Sequence, residues 1–99
     1  MSEPKRPGVL NPKKKRAEKV KLLCVDDEPF ILDGLSVNLR KHYRVTTAVG
    51  GKEALEKLQT EGPFPIVISD MRMPEMDGAT FLKQVRQLAP DSIRLLLTG

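Results

Sequence analysis

Pro65-Ile66-Val67-Ile68-Ser69-Asp70-Met71-Arg72-Met73-Pro74-Glu75-Met76-Asp77-Gly78 is the stretch that decides the fold class of this 99-residue chain. Its first half is a short, nearly continuous apolar run that ends in an acid. A run of that length without polar alternation predicts a strand buried on both faces, the habit of parallel sheets in α/β proteins. Its second half holds Pro74 and the pair Asp77-Gly78, turn chemistry that closes the strand and hands the chain to a helix. Phe81, Leu82, Val85 and Leu88 then share a helical face, and Ala89-Pro90-Asp91 stops them.

The same strand-then-helix unit recurs on either side. Downstream, Ile93-Arg94-Leu95-Leu96-Leu97-Thr98 reads as a further strand. Upstream, Lys21-Leu22-Leu23-Cys24-Val25 is an apolar run leading into Asp26-Asp27, and Pro29 suits the first turn of a helix, where its missing N–H is not needed. Ile31, Leu32, Leu35 and Leu39 recur at helical spacing, with Asp33, Asn38, Arg40 and Lys41 on the other side. Tyr43 to Ala48 is rich in β-branched residues and predicts a second strand. Gly50-Gly51 breaks the chain, Lys52 to Thr60 predicts a helix with Ala54, Leu55 and Leu58 on its apolar face, and Gly62-Pro63 ends it. The order is βαβαβαβ. Short helices between continuous apolar strands imply a doubly wound α/β fold, its parallel sheet covered on both faces by right-handed crossovers. Leu95-Leu96-Leu97 looks like a strand that expects cover and a neighbour on each side, with only Thr98 and Gly99 after it. The expectation is therefore an incomplete domain, either a fragment or one that a partner completes.

Composition narrows the class. Aromatics make up 4% and there is no Trp, so the core must be aliphatic. No run approaches the ~20 apolar residues of a membrane span, and the basic N-terminus has no apolar segment behind it that would make it a secretory signal. The single cysteine, Cys24, lies inside an apolar run and reads as a small core residue, with a cytoplasmic setting as the default. The net charge of +4 is unevenly placed: residues 1–21 hold eight Lys/Arg and two Glu, a net +6, and the body carries −2. Pro4, Pro7, Gly8, Pro12 and the run Lys13-Lys14-Lys15-Arg16 predict a disordered basic arm over residues 1–19, followed by the domain at 20–99.

In open parallel sheets, ligands bind beyond the carboxyl ends of the strands. Asp26 and Asp27 follow strand one, Asp70 ends strand three, and Thr98 ends strand four. If strands one and three adjoin, three carboxylates converge, and like charges that close need a cation. Mg²⁺ fits, because it accepts a few carboxylates and keeps room for phosphate oxygens. A carboxylate in such a site can take a phosphoryl group, and a hydroxyl at Thr98 can hydrogen-bond it. Each residue alone has a plainer reading: Asp26-Asp27 as a helix cap, Asp70 as a loop starter, Thr98 as a strand residue. Asp77-Gly78 reads as turn chemistry, and His42 as a surface residue. The combination at the ends of the right strands is what carries meaning.

Three segments resemble the receiver domain of two-component signalling, the flavodoxin-like fold of chemotaxis-type response regulators. They are Leu22 to Pro29 with its acidic pair, Asp70 to Gly78 as the phosphoacceptor loop, and Leu95 to Gly99 as the fourth strand with its switch hydroxyl. The resemblance runs from about Val20 to Gly99. It implies that Asp70 accepts the phosphoryl group of a phosphohistidine on a partner histidine kinase or phosphotransfer protein. It further implies that Asp27, Asp70 and the backbone carbonyl of Arg72 bind Mg²⁺ directly, with Asp26 acting through water. Thr98 would swing toward the phosphoryl group, while the Arg72 side chain and the small residue Gly99 would tune its lifetime. By the same resemblance, a fourth helix, a fifth strand with a lysine and a fifth helix are missing, and an effector domain would lie beyond Gly99.

Two other classes compete with this reading. One is a phosphorylation-independent module whose basic arm binds nucleic acid or protein. The other is a hydrolase with Asp70 as nucleophile; phosphoaspartate phosphatases place a second acid two residues on, and Arg72 stands there. No Gly-rich phosphate loop, histidine metal set or Ser-His-Asp set points to a stand-alone enzyme.

Overall fold

The computed structural model of the chain describes residues 19–98. The expected basic arm, except for Lys19, lies outside the described residues, and so does Gly99. Seven elements follow in strict alternation: β1 (Val20–Asp26), α1 (Pro29–Leu39), β2 (Tyr43–Val49), α2 (Gly51–Glu61), β3 (Ile66–Asp70), α3 (Gly78–Leu88) and β4 (Ile93–Leu97). All four strands are parallel, in the spatial order β2-β1-β3-β4. β1 and β3 are therefore neighbours, with Val25 opposite Ser69, and the acids that end them fall side by side. The doubly wound α/β fold expected from the sequence is the one observed.

Alternation along the strands sorts the core into two layers. Leu23 and Val25 of β1 and Val67 of β3 pack with Ala54 and Leu58 of α2 and with Phe81 and Val85 of α3. Leu22 and Cys24 face the other way, against Leu32 of α1, with Leu35, Leu39, Ile66 and Ile68 around them. Cys24 is fully buried, and burial pushes its thiol up to about 11, so it is an inert core group as expected.

Two apolar assignments are corrected. Ile31 and Leu88 were expected on the inner faces of their helices, yet they are 44% and 52% exposed. α1 packs chiefly against β1 and β2, which leaves Ile31 beside the open ends of β3 and β4. Leu88 occupies the last turn of α3, beyond the buried Val85. The expectation of cover on both faces also holds only in part: Ile93, Leu95 and Leu97 pair with Ile66, Ile68 and Asp70, on the α1 side of the sheet, and are exposed.

Local chemistry fixes the element ends. Pro29 occupies the first turn of α1. Asp77 caps α3, its carboxylate accepting the Thr80 N–H at 2.7 Å. On α2, Glu53 accepts the Val49 N–H at 3.2 Å and pairs with Lys57, whose Nζ donates to the Thr47 carbonyl at 2.6 Å. The contacts with Val49 and Thr47 tie α2 to β2, and the Glu53–Lys57 pair braces them within the helix. At the opposite end of the sheet, the buried Ser92 hydroxyl donates to the Phe64 carbonyl at 2.6 Å and sets the entry of β4 beside β3.

Candidate functional site

The acids expected to converge do so. Asp26 at the end of β1, Asp27 just beyond it and Asp70 at the end of β3 bring one carboxylate oxygen each to within 4.8 Å of one another. Asp26 is buried, and Asp27 and Asp70 are half-buried. A cleft of about 510 Å³ opens over them and is also lined by Arg72 and Thr98. Every residue singled out for the site in the described sequence thus borders one cleft.

Backbone contacts hold this arrangement. The Asp26 carboxylate accepts the Glu28 N–H at 3.0 Å, while the Asp26 carbonyl accepts the Gly50 N–H at 3.0 Å. Asp26 is therefore pinned from the start of α1 and from the β2–α2 junction. Met71 N–H donates to the Leu97 carbonyl at 3.1 Å, which extends the β3–β4 pairing past Asp70, and Gly78 N–H returns to the Met71 carbonyl at 2.9 Å. Gly78 has a steric reason to be glycine, since a Cβ there would stand 2.2 Å from the Asp70 carbonyl oxygen. The loop can fold back beneath Asp70 only without that atom.

The electrostatics carry the mark of crowding. Burial pushes the Asp26 carboxyl above the ordinary carboxylate range; the charges of Asp70 and Asp27 push the same way, and the Glu28 N–H opposes them. A group held back from ionising by its neighbours is relieved by a cation. Three oxygen donors with a hard-ion preference and an open, water-accessible side fit Mg²⁺ better than a softer metal.

The sequence reading missed four contributors. Glu28 lines the cleft and lends its N–H to Asp26. Gly50 supports the Asp26 backbone. Ile31 and Leu97 form apolar walls of the cleft. Glu28 could have been inferred as the N-cap position before Pro29, where its backbone N–H is free to turn inward. The plainer reading of Asp26-Asp27 as the helix cap is not what is seen, because Glu28 takes that position without a side-chain cap bond. Asp77-Gly78 serves turn chemistry, as expected, with Asp77 also capping α3, and His42 is exposed.

Comparison with known proteins agrees with this geometry. Residues 22–99 match the family described as the response regulator receiver domain. The chain is 48% identical over 68 residues to the alkaline phosphatase synthesis transcriptional regulatory protein PhoP of Bacillus subtilis, covering 68% of this chain and 28% of that protein. It is 44% identical over 71 residues to the probable chemotaxis protein CheY of Rhizobium etli, covering 71% of this chain and 55% of that one. Among solved structures, it superposes on response regulator protein TrrA of Thermotoga maritima, in complex with Mg²⁺ and BeF, with a TM-score of 0.73 and 36% identity over 80% of this chain and 69% of that chain. The chain belongs to the response regulator receiver domain family and is a receiver module of two-component signal transduction. It spans between about a quarter and about a half of the length of these two curated relatives.

Proposed function

We propose that this receiver accepts a phosphoryl group on Asp70 from a phosphohistidine of a partner histidine kinase or phosphotransfer protein, in a cytoplasmic setting. The observation that carries the reading is the meeting of Asp26, Asp27 and Asp70 at the carboxyl ends of the adjacent strands β1 and β3, under one cleft shared with Arg72 and Thr98. An Asp70 oxygen attacks phosphorus in line with the leaving imidazole nitrogen; the P–N bond breaks, the acyl phosphate forms, and the imidazole leaves with a proton from solvent. Asp27, Asp70 and the Arg72 carbonyl would hold Mg²⁺ directly, and Asp26 would act through water. When bound, the ion neutralises charge gathering on the phosphoryl oxygens.

The chain's own residues do the rest. Gly78 lets the loop pack beneath Asp70 and fixes the direction of the nucleophile. Ile31 and Leu97 narrow access by bulk water. Thr98 offers its hydroxyl to a phosphoryl oxygen and so reports the modification to the end of β4. Asp70 works as an acceptor in a regulatory module, with only self-phosphorylation and self-hydrolysis as chemistry. Output of the kind named for the transcriptional relatives belongs to protein outside the matched segment.

Intact-mass spectrometry after incubation with Mg²⁺ and acetyl phosphate tests this reading. A single phosphoryl adduct is expected, absent with Asp70→Asn and absent without Mg²⁺. A folded chain that takes no adduct, or an Asp70→Asn protein that still does, overturns it.

A further inference from the structure

A second cavity, of about 640 Å³, opens between the start of α2 and the β3–α3 loop. Its volume falls in the range of small-molecule sites. The apolar part of its wall comes from Val49, Leu55 and the thioethers of Met73 and Met76. Charge around it is one-sided: Asp27, Glu56 and Glu75 against Lys52. Glu56 and Glu75 are exposed, so they stand at the rim, while Met73 is buried in the wall.

We infer that this cavity between α2 and the β3–α3 loop is a binding site for a small planar aromatic cation, of the aryl amidine class. Methionine sulfur makes favourable contacts with aromatic ring edges, and its flexible chain adapts to a flat guest. A carboxylate rim suits an amidinium, which can donate two parallel hydrogen bonds to one carboxylate. Neither the apolar wall nor the acidic rim selects this class alone; a neutral ring lacks the second contact and an aliphatic diamine the first.

Gly51 sets where Met76 sits in the cavity wall. A Cβ on Gly51 would lie 2.8 Å from the Met76 sulfur, so Met76 rests over the helix start only because that atom is absent. The displaced group would be the far end of a flexible side chain in a cavity it already lines. Gly51→Ala thus displaces the Met76 sulfur and leaves every charge in place, at a helical position that alanine favours.

The test uses the full chain labelled with ¹³C at its methionine methyls, titrated with benzamidine and, separately, with the neutral benzamide. Saturable shifts are expected at Met73 and Met76, with Met71, which does not line the cavity, unmoved. Benzamide should bind about threefold more weakly, the ratio typical of a solvent-exposed ion pair. Gly51→Ala, by displacing the Met76 sulfur, should weaken binding severalfold. The double variant Glu56→Gln/Glu75→Gln, confined to exposed side chains, should bring benzamidine down to the affinity of benzamide. Equal affinities for the two probes overturn the cationic ligand. Shifts that fail to saturate, that appear equally at Met71, or that keep the parent affinity in Gly51→Ala overturn the site.

Discussion

Asp26 is the residue whose titration reports the site. Its folded-state pKa is raised, first by burial and then by the charges of Asp70 and Asp27. The folded state therefore holds this proton more tightly than the unfolded chain. The ionised carboxylate weighs against folding at pH values above its raised pKa, and that penalty is relieved as pH falls through it. Removing the Asp70 charge with Asp70→Asn should move the Asp26 midpoint down toward the ordinary carboxylate range without reaching it, because burial remains. Mg²⁺ should move it down further, and Mg²⁺ affinity should weaken as acid protonates Asp26. A pH titration of the aspartate ¹³Cγ resonances checks both; an Asp26 midpoint indifferent to Asp70→Asn would show that the two carboxylates do not share a site.

The elements aim these residues, and α3 shows how. Its cap, Asp77, has a carboxyl held below the usual range by the Thr80 N–H. Such a group contributes stability above its unfolded pKa and loses it as pH falls through the lower, folded one. Asp77→Ala should lower the melting temperature at neutral pH, while Asp77→Asn, which keeps a side-chain acceptor, should retain most of it and lack the acid-side decline. Inside the same helix Phe81 is fully buried against both β3 and α2, and Phe81→Ala should cost about 3–5 kcal/mol. That is a large share of the roughly 5–15 kcal/mol available to a domain, and urea unfolding would measure it. Phe81 and Val85 were legible in the sequence because helical spacing reveals an inner stripe. So were the strands, through their apolar runs, and the acids, which end two of those runs. Ile31 and Leu88 were not, since periodicity marks which way a residue points but not whether anything stands opposite. The packing of Gly78 beneath Asp70 was equally hidden, being a contact of a turn glycine with a backbone atom eight residues earlier. Strand order, which brings Asp26 and Asp70 together, was only a condition at the level of sequence; pairing of β1 with β3 supplies it.

At the scale of the molecule, the sheet concentrates negative charge at one end and leaves apolar surface along β4. Ile93, Leu95 and Leu97 stand exposed on the α1 side, where contiguous apolar residues favour association. Leu95→Lys together with Leu97→Lys should lower the light scattering of concentrated protein. The acidic end acts on stability differently. Charges within 4.8 Å of one another repel by roughly 1 kcal/mol per pair in water and several times that near a protein surface, so the three carboxylates oppose the fold that gathers them. An ion bound only by the folded chain reverses this, adding about 2.7 kcal/mol at a hundredfold excess over its Kd. Asp70→Asn should therefore have opposite effects in the two conditions. With chelator present it should melt higher than the parent, having lost two repulsive pairs. With millimolar Mg²⁺ it should gain little, having lost a ligand, while the parent gains several degrees and overtakes it. Thermal melts of both proteins across a Mg²⁺ series decide the matter: curves that cross establish the acidic cluster as a cation site built against its own repulsion, and curves that run parallel assign its charges no such role.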